Sequence, residues 1–97
     1  MINKIVWRPA VIIDLNQIAN YILERNPKAA SRIVADIRQA AERLRQFPQL
    51  GRADEIGNVR VLQVARRNYL LPYKIVDEDV QILGVFDERR ERPENWE

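Results

Sequence analysis

Tyr69-Leu70-Leu71-Pro72-Tyr73-Lys74-Ile75-Val76, followed by Asp77-Glu78-Asp79 and then by Val80-Gln81-Ile82-Leu83-Gly84-Val85-Phe86, reads as two strands joined by an acidic turn. Both runs are rich in β-branched and aromatic residues, and so short a link makes the strands antiparallel neighbours. Pro72 removes one ladder donor, so its strand is expected to bulge there or to present that position at an unpaired edge. Val80 to Phe86 is apolar on both faces and is expected to be the most buried strand. Tyr69 and Tyr73 share a face, which suits core packing. Upstream, Val59 to Val64 supplies a third strand, and the C-terminal half becomes a three-stranded antiparallel meander.

The N-terminal half carries a different period. Ile2 to Trp7 alternates with apolar residues in both sets, so it predicts a first strand with most of both faces covered. Arg8-Pro9 ends it, because proline's fixed φ suits the first turn of a helix. Val11, Leu15, Ile18 and Ile22 then fall on one helical face. Asn26-Pro27 restarts the chain as a second helix, with Asn as side-chain cap and Pro at the first helical position. Ala30, Ile33, Ile37, Ala41, Leu44 and Phe47 hold the helical spacing for roughly five turns, and Pro48 and Gly51 stop it. Two helices this closely linked form an antiparallel hairpin. The fold class expected is therefore α+β: an N-terminal strand, an α-helical hairpin, then the meander, all in one sheet.

Ninety-seven residues with 46% hydrophobic content fit one domain over 1–97, with 88–97 expected to be a flexible tail. A domain this small buries a modest core, so an obligate partner suits it. The chain has no Cys and no His. That removes disulfides, thiolate nucleophiles, imidazole acid–base chemistry and most zinc or copper sites. The N-terminal apolar run is too short for a signal peptide and nothing approaches membrane-spanning length, so a cytoplasmic location with no membrane partner is expected.

The net charge of +2 hides a polarity. Residues 1–47 carry eight Lys/Arg against four Asp/Glu, and residues 48–76 carry five against two. Residues 77–97 carry three against eight, a net −5. The body is basic and the tail acidic on balance.

The polar groups capable of recognition are mostly cations and aromatics: Arg60, Arg66, Arg67, Tyr69, Tyr73, Lys74, Asp87, Arg89, Arg90 and Trp96. Guanidinium forks grip phosphate or carboxylate and aromatics stack or fill pockets, so the set suits RNA or a protein surface. Arg66-Arg67 is either a solvated turn or a contact pair. Arg60, flanked by Val59, Val61 and Leu62, must snorkel or find a carboxylate, with Asp87 or the acidic tail as candidates. Trp96 either caps the core or anchors a partner. Asp77-Glu78-Asp79 is expected to be a hydrated turn rather than a metal site, since adjacent acids in a hairpin point apart.

Taken together, the order of elements resembles the ParE/RelE superfamily of bacterial type II toxins. Trp7-Arg8-Pro9-Ala10 with Asp14, Leu15 and Ile18 is similar to that family's first helix, and Asn26-Pro27-Lys28-Ala29-Ala30 to its interhelical step. Phe47-Pro48-Gln49-Leu50-Gly51-Arg52 is the most specific match, and Arg60, the Tyr69 strand and the run into Arg89 and Arg90 complete a likeness over nearly the whole chain. Arg8 departs from the family's Ser or Thr before Pro, which removes a side-chain cap worth about 1 kcal/mol.

The superfamily divides into RelE-type ribosome-dependent mRNA endonucleases and ParE-type DNA gyrase poisons, each neutralised by a cognate antitoxin. The long second helix and the Phe-Pro-Gln-Leu-Gly-Arg step are similar to ParE, a plasmid-stabilisation toxin. Phe86-Asp87-Glu88-Arg89 lacks the His or Tyr that RelE-type nucleases place near the last strand, and a net −5 over 77–97 opposes RNA backbone. The resemblance thus implies gyrase inhibition by direct binding, with no cofactor and no metal. Target contacts would be Arg66, Arg67, Arg89, Arg90 and Trp96. The antitoxin would lie over Ile18, Tyr21, Ile22, Ile33 and Ile37. The alternative is a ribosome-dependent endoribonuclease using Arg60, Arg66, Arg67 and Lys74 on RNA phosphate, and a third reading is a non-toxic binding relative. The acidic tail is expected to pair with the basic body in the free protein.

Overall fold

The computed structural model describes residues 2–55, 57–64 and 66–89. The chain runs β1 (Ile5–Trp7), α1 (Pro9–Leu23), α2 (Pro27–Glu42), a 3-10 turn (Arg43–Arg45), β2 (Arg52–Ala53), β3 (Arg60–Gln63), β4 (Tyr69–Val76), β5 (Asp79–Ile82) and β6 (Phe86–Asp87). The expected α+β class is borne out. The sheet order is β1-β5-β4-β3-β2, with β6 also on β4. The meander β3-β4-β5 is antiparallel, whereas β1 joins β5 in parallel, Ile5 opposite Val80 and Trp7 opposite Ile82. A parallel pair needs a long connection, and here the helical hairpin together with β2, β3 and β4 lies between the two strands in sequence. No helix among the described residues is long and apolar enough to cross a membrane.

Both helices start where their sequences say. Asn26 caps α2 through its side-chain oxygen, which accepts from the Ala29 N–H at 3.2 Å, while Arg8 precedes Pro9 with no side-chain cap. The helices cover one face of the sheet, where Val11, Leu15, Ile33, Ile37, Ala41 and Leu44 meet Leu62, Leu71, Tyr73, Val80 and Ile82. Fully burying side chains such as Ile37 and Leu44 stabilises by about 2 kcal/mol each. A smaller cluster of Val59, Val61 and Leu83, with Leu70 and Phe86 against it, lies on the opposite face.

Four expectations are corrected. The second helix does not carry its apolar face to Phe47: α2 tightens into the 3-10 turn at Arg43, the phase shifts, and Phe47 is 56% exposed. The first strand is shorter than Ile2 to Trp7, and a short additional strand, β2, precedes the meander. The strand holding Pro72 is central rather than at an edge, with β3 on one side and β5 and β6 on the other. The final strand is not continuous. Pro72 accepts from the Leu83 N–H at 2.8 Å but has no N–H to return, so the ladder stops after Tyr73–Ile82. It resumes at Leu70–Phe86 one residue out of step, a β-bulge placed by the proline.

The acidic turn is a two-residue hairpin loop. Asp77 (φ 50°) and Glu78 (φ 67°) are both left-handed, as the turn type matching strand twist requires. Among the described residues no three His, Cys, Asp or Glu side chains gather as metal ligands.

Candidate functional site

The loop after α2 is stapled to the sheet by two side chains. The Tyr73 hydroxyl donates to the Pro48 carbonyl at 2.7 Å and accepts from the Gly51 N–H at 2.9 Å. Arg60 reaches the same loop, its guanidinium donating to the Gly51 carbonyl at 2.8 Å and the Gln49 carbonyl at 3.3 Å. Gly51 is required by proximity, since a Cβ there would lie 2.6 Å from Tyr73 Cε1 and 3.0 Å from the Val61 backbone. The Phe47–Arg52 motif is therefore a structural fastening. Arg60 is corrected accordingly: it satisfies carbonyls rather than a carboxylate, and Asp87 instead accepts two bonds from the Arg89 guanidinium, at 2.8 and 3.0 Å, and one from its backbone N–H at 2.9 Å. That local pairing raises the Arg89 pKa, chiefly through the Asp87 hydrogen bond.

At the other end of the meander an open groove of about 770 Å³ separates the helical hairpin from the β3–β4 loop and β6. Its helical wall is Ile18, Tyr21 and Ile22, with Ile33 at the base, and its opposite rim carries Arg66, Arg67 and Arg89. The sequence-predicted partner residues thus converge on one feature, with three exceptions. Ile37 is 0% exposed in the core and lies beyond reach of a partner. Arg90 and Trp96 lie outside the described residues.

Each rim arginine is set differently. Arg66 sits at φ 63°, a left-handed conformation costing a side-chain-bearing residue about 1 kcal/mol, and it is exposed with no acidic partner among the described residues. Arg67 closes the loop by donating its backbone N–H to Val64, and its guanidinium pairs with Asp36 of α2 at 3.0 Å. This ion pair ties the hairpin tip to the helical layer. Glu88 extends the tie, its N–H donating to the Asn68 carbonyl at 2.8 Å and its carboxylate accepting from Gln63 at 3.1 Å. On the helical wall Tyr21 is 62% exposed, and the Arg25 guanidinium stacks 3.8 Å above its ring.

The four cations of the nuclease reading are not brought together. Arg60 opens β3 and turns to the Gly51 loop, while Arg66 and Arg67 follow its far end, about 13 Å of strand away. Lys74 lies opposite Gln81 on the sheet face turned away from the helices. Sequence reasoning missed Asp14, Gln17, Asn68 and Val85 as further groove residues. Asp36 of α2 is the anchor of Arg67, and only the placement of the β3–β4 loop beside α2 reveals that.

The geometry defines a small two-layer α+β domain with an apolar, arginine-rimmed groove. The chain matches the family described as ParE toxin of type II toxin-antitoxin system, parDE, over residues 5–92, and it belongs to that family. It is 35% identical over 91 residues to a protein of Sinorhizobium fredii named as a toxin, Y4kP, with 94% of each chain covered. Toxin RelE2 of Caulobacter vibrioides is 30% identical over 82 residues, covering 84% of this chain and 91% of that one. A solved structure of the chromosomal ParDE TA system from P. aeruginosa superposes with a TM-score of 0.80 at 26% identity, over 90% of this chain and 96% of the other.

Proposed function

We propose that this toxin inhibits DNA gyrase by direct binding through its arginine rim, and that a cognate antitoxin neutralises it by filling the groove. The observation that carries this reading is the convergence of Ile18, Tyr21, Ile22 and Ile33 with Arg66, Arg67 and Arg89 around one cleft. An amphipathic antitoxin segment laid on the apolar wall covers the arginines at the same time. Neutralisation is then simple occlusion. The apolar surface buried is what a small domain leaves exposed, and aromatic and arginine anchors supply most of the affinity.

The scatter of Arg60, Arg66, Arg67 and Lys74 supports binding over RNA cleavage. Phosphoryl chemistry needs its cations and a proton carrier around one reacting atom, and these side chains occupy different faces and ends of the sheet. Arg60 is already engaged by the Gly51 and Gln49 carbonyls.

Induction in a bacterial host tests the reading. Growth arrest with intact messages by primer extension and a DNA-damage response is the expected result. Messages cut within codons contradict it and favour the ribosome-dependent nuclease. Growth without arrest favours a non-toxic binding relative.

A further inference from the structure

We propose that the outward face of α1 is a self-association surface. A second copy of this chain packs its own α1 on it, antiparallel and about a two-fold axis, with Ile13 of each copy against Leu23 of the other and Asn16 against Asn20. The surface lies on the far side of α1 from the groove, so the inference does not rest on the proposed function.

The composition of α1 is the first argument. Asp14 is the one charged residue in its 15 positions, and its apolar side chains are not confined to a single stripe. Val11 and Leu15 are buried, and Ile18 and Ile22 pack against the same core. Ile12, Ile13 and Leu23 are left 41%, 57% and 51% exposed. A helix that is apolar all round is normally covered all round. The neighbouring α2 shows what a solvated helix face looks like, with Lys28, Arg32, Arg38 and Glu42 exposed, whereas Ile12, Ile13, Asn16, Asn20 and Leu23 are exposed and uncharged.

The order of residues on this face is the second, and it favours a second copy over an unrelated partner. Positions 13, 16, 20 and 23 lie on one side of the helix, and their steps of three, four and three are the same read from either end. Turned end over end about an axis level with residue 18, the ridge meets itself: Ile13 faces Leu23 and Asn16 faces Asn20, each contact made twice. Large apolar side chains then stand at the two ends and short amides at the centre. Each amide both donates and accepts, so the central Asn16–Asn20 pairs satisfy one another, and neither side chain has a hydrogen-bond partner among the described residues. No like charges meet on the ridge, which a copy docked through the arginine-rich rim could not avoid.

Size sets the strength. One antiparallel helix pair covers less than the roughly 1,200 Å² at which stable interfaces begin, so dissociation in the micromolar range is expected. Tyr21, two positions before Leu23, faces roughly the opposite side of α1. The groove of each copy therefore stays open, and the dimer displays two grooves and two arginine rims.

Sedimentation equilibrium of the purified full chain tests this with neither antitoxin nor gyrase present. From micromolar to millimolar protein the average mass is expected to rise from 11.4 kDa towards twice that value. Ile13→Glu and Leu23→Lys, both at exposed positions, each raise the dissociation constant about tenfold or more. The double variant Ile13→Glu/Leu23→Lys restores it to within about threefold, since the new charges face each other in this register. Tyr21→Ala, in the groove, leaves it unchanged. A mass of 11.4 kDa throughout overturns the proposal, as do single variants without effect or a double variant no better than the singles. Loss of association in Tyr21→Ala also overturns it, assigning the contact to the groove. If a charge variant fails to fold by circular dichroism, oxidative cross-linking takes its place. The chain has no cysteine, so Asn16→Cys mixed with Asn20→Cys should give a disulfide-linked dimer in higher yield than either variant alone, and equal yields overturn the proposal. Failure here leaves the toxin reading intact, because that reading is tested by growth and gyrase activity.

Discussion

The Gly51 N–H donates to the Tyr73 hydroxyl at 2.9 Å across 22 residues of sequence, joining the loop after α2 to the central strand. Tyr73 is 0% exposed and its ring cannot retreat. Gly51→Ala forces a methyl against that ring and the Val61 backbone, and a loss of about 2 kcal/mol is expected. Tyr73→Phe leaves the Gly51 N–H and Pro48 carbonyl unpaired, for a similar loss of about 2 kcal/mol. In a chain this size each variant lowers Tm by roughly 10 °C. Thermal denaturation followed by circular dichroism checks both; an unchanged Tm refutes the fastening.

The same tyrosine gives a pH signature. Burial pushes its pKa above the usual 10.0, opposed by the Gly51 N–H hydrogen bond and the Arg60 charge. The folded state holds the proton more tightly, so the unfolded chain ionises first as pH rises. Its contribution is complete below about pH 10 and is lost as pH climbs through the folded value. As pH rises above about 10, wild type should lose Tm more steeply than Tyr73→Phe. Parallel slopes contradict the assignment.

Arg60 is expected to behave as part of that fastening. Arg60→Met removes charge-assisted bonds to the Gly51 and Gln49 carbonyls and should cost about 1–2 kcal/mol. Because it shares a loop with Tyr73, the double variant should fall short of additivity by about 0.5 kcal/mol or more. Denaturant titrations of the double-mutant cycle measure this. Full additivity, or loss of toxicity with unchanged stability, places Arg60 in a functional role instead.

Groove contacts separate from stability. Tyr21→Ala removes an exposed ring and should leave Tm within about 0.5 kcal/mol equivalents. As an aromatic anchor its loss should weaken antitoxin binding about tenfold or more. Calorimetry with the cognate antitoxin checks this, and an unchanged Kd removes α1 from the interface.

Much of this architecture is written in short-range chemistry. Pro9, Asn26-Pro27 and Pro48 mark helix ends because proline and asparagine act on their immediate neighbours, and β4 occupies Tyr69–Val76 as its composition predicts. What was not legible depends on pairing across the fold. The break at Leu83 arises from a proline on the neighbouring strand, and no local feature of Val80 to Phe86 announces it. Phe47 turned outward because a 3-10 turn changed the helical phase. Arg60 could be seen to need a partner, but carbonyls of a loop nine and eleven residues away leave no pattern in charge or period. The groove was legible only as separate apolar and basic sets, since the sheet order that brings α1 against the Arg66 loop is not encoded in either segment alone.

Titration of purified toxin into a gyrase supercoiling assay tests the proposed binding to DNA gyrase most directly. Inhibition at micromolar toxin with accumulation of cleaved DNA complex, reversed by the antitoxin and weakened by Arg66→Glu, is the predicted result. Undiminished supercoiling with no cleavage complex at that concentration, from toxin that arrests growth in cells, contradicts it.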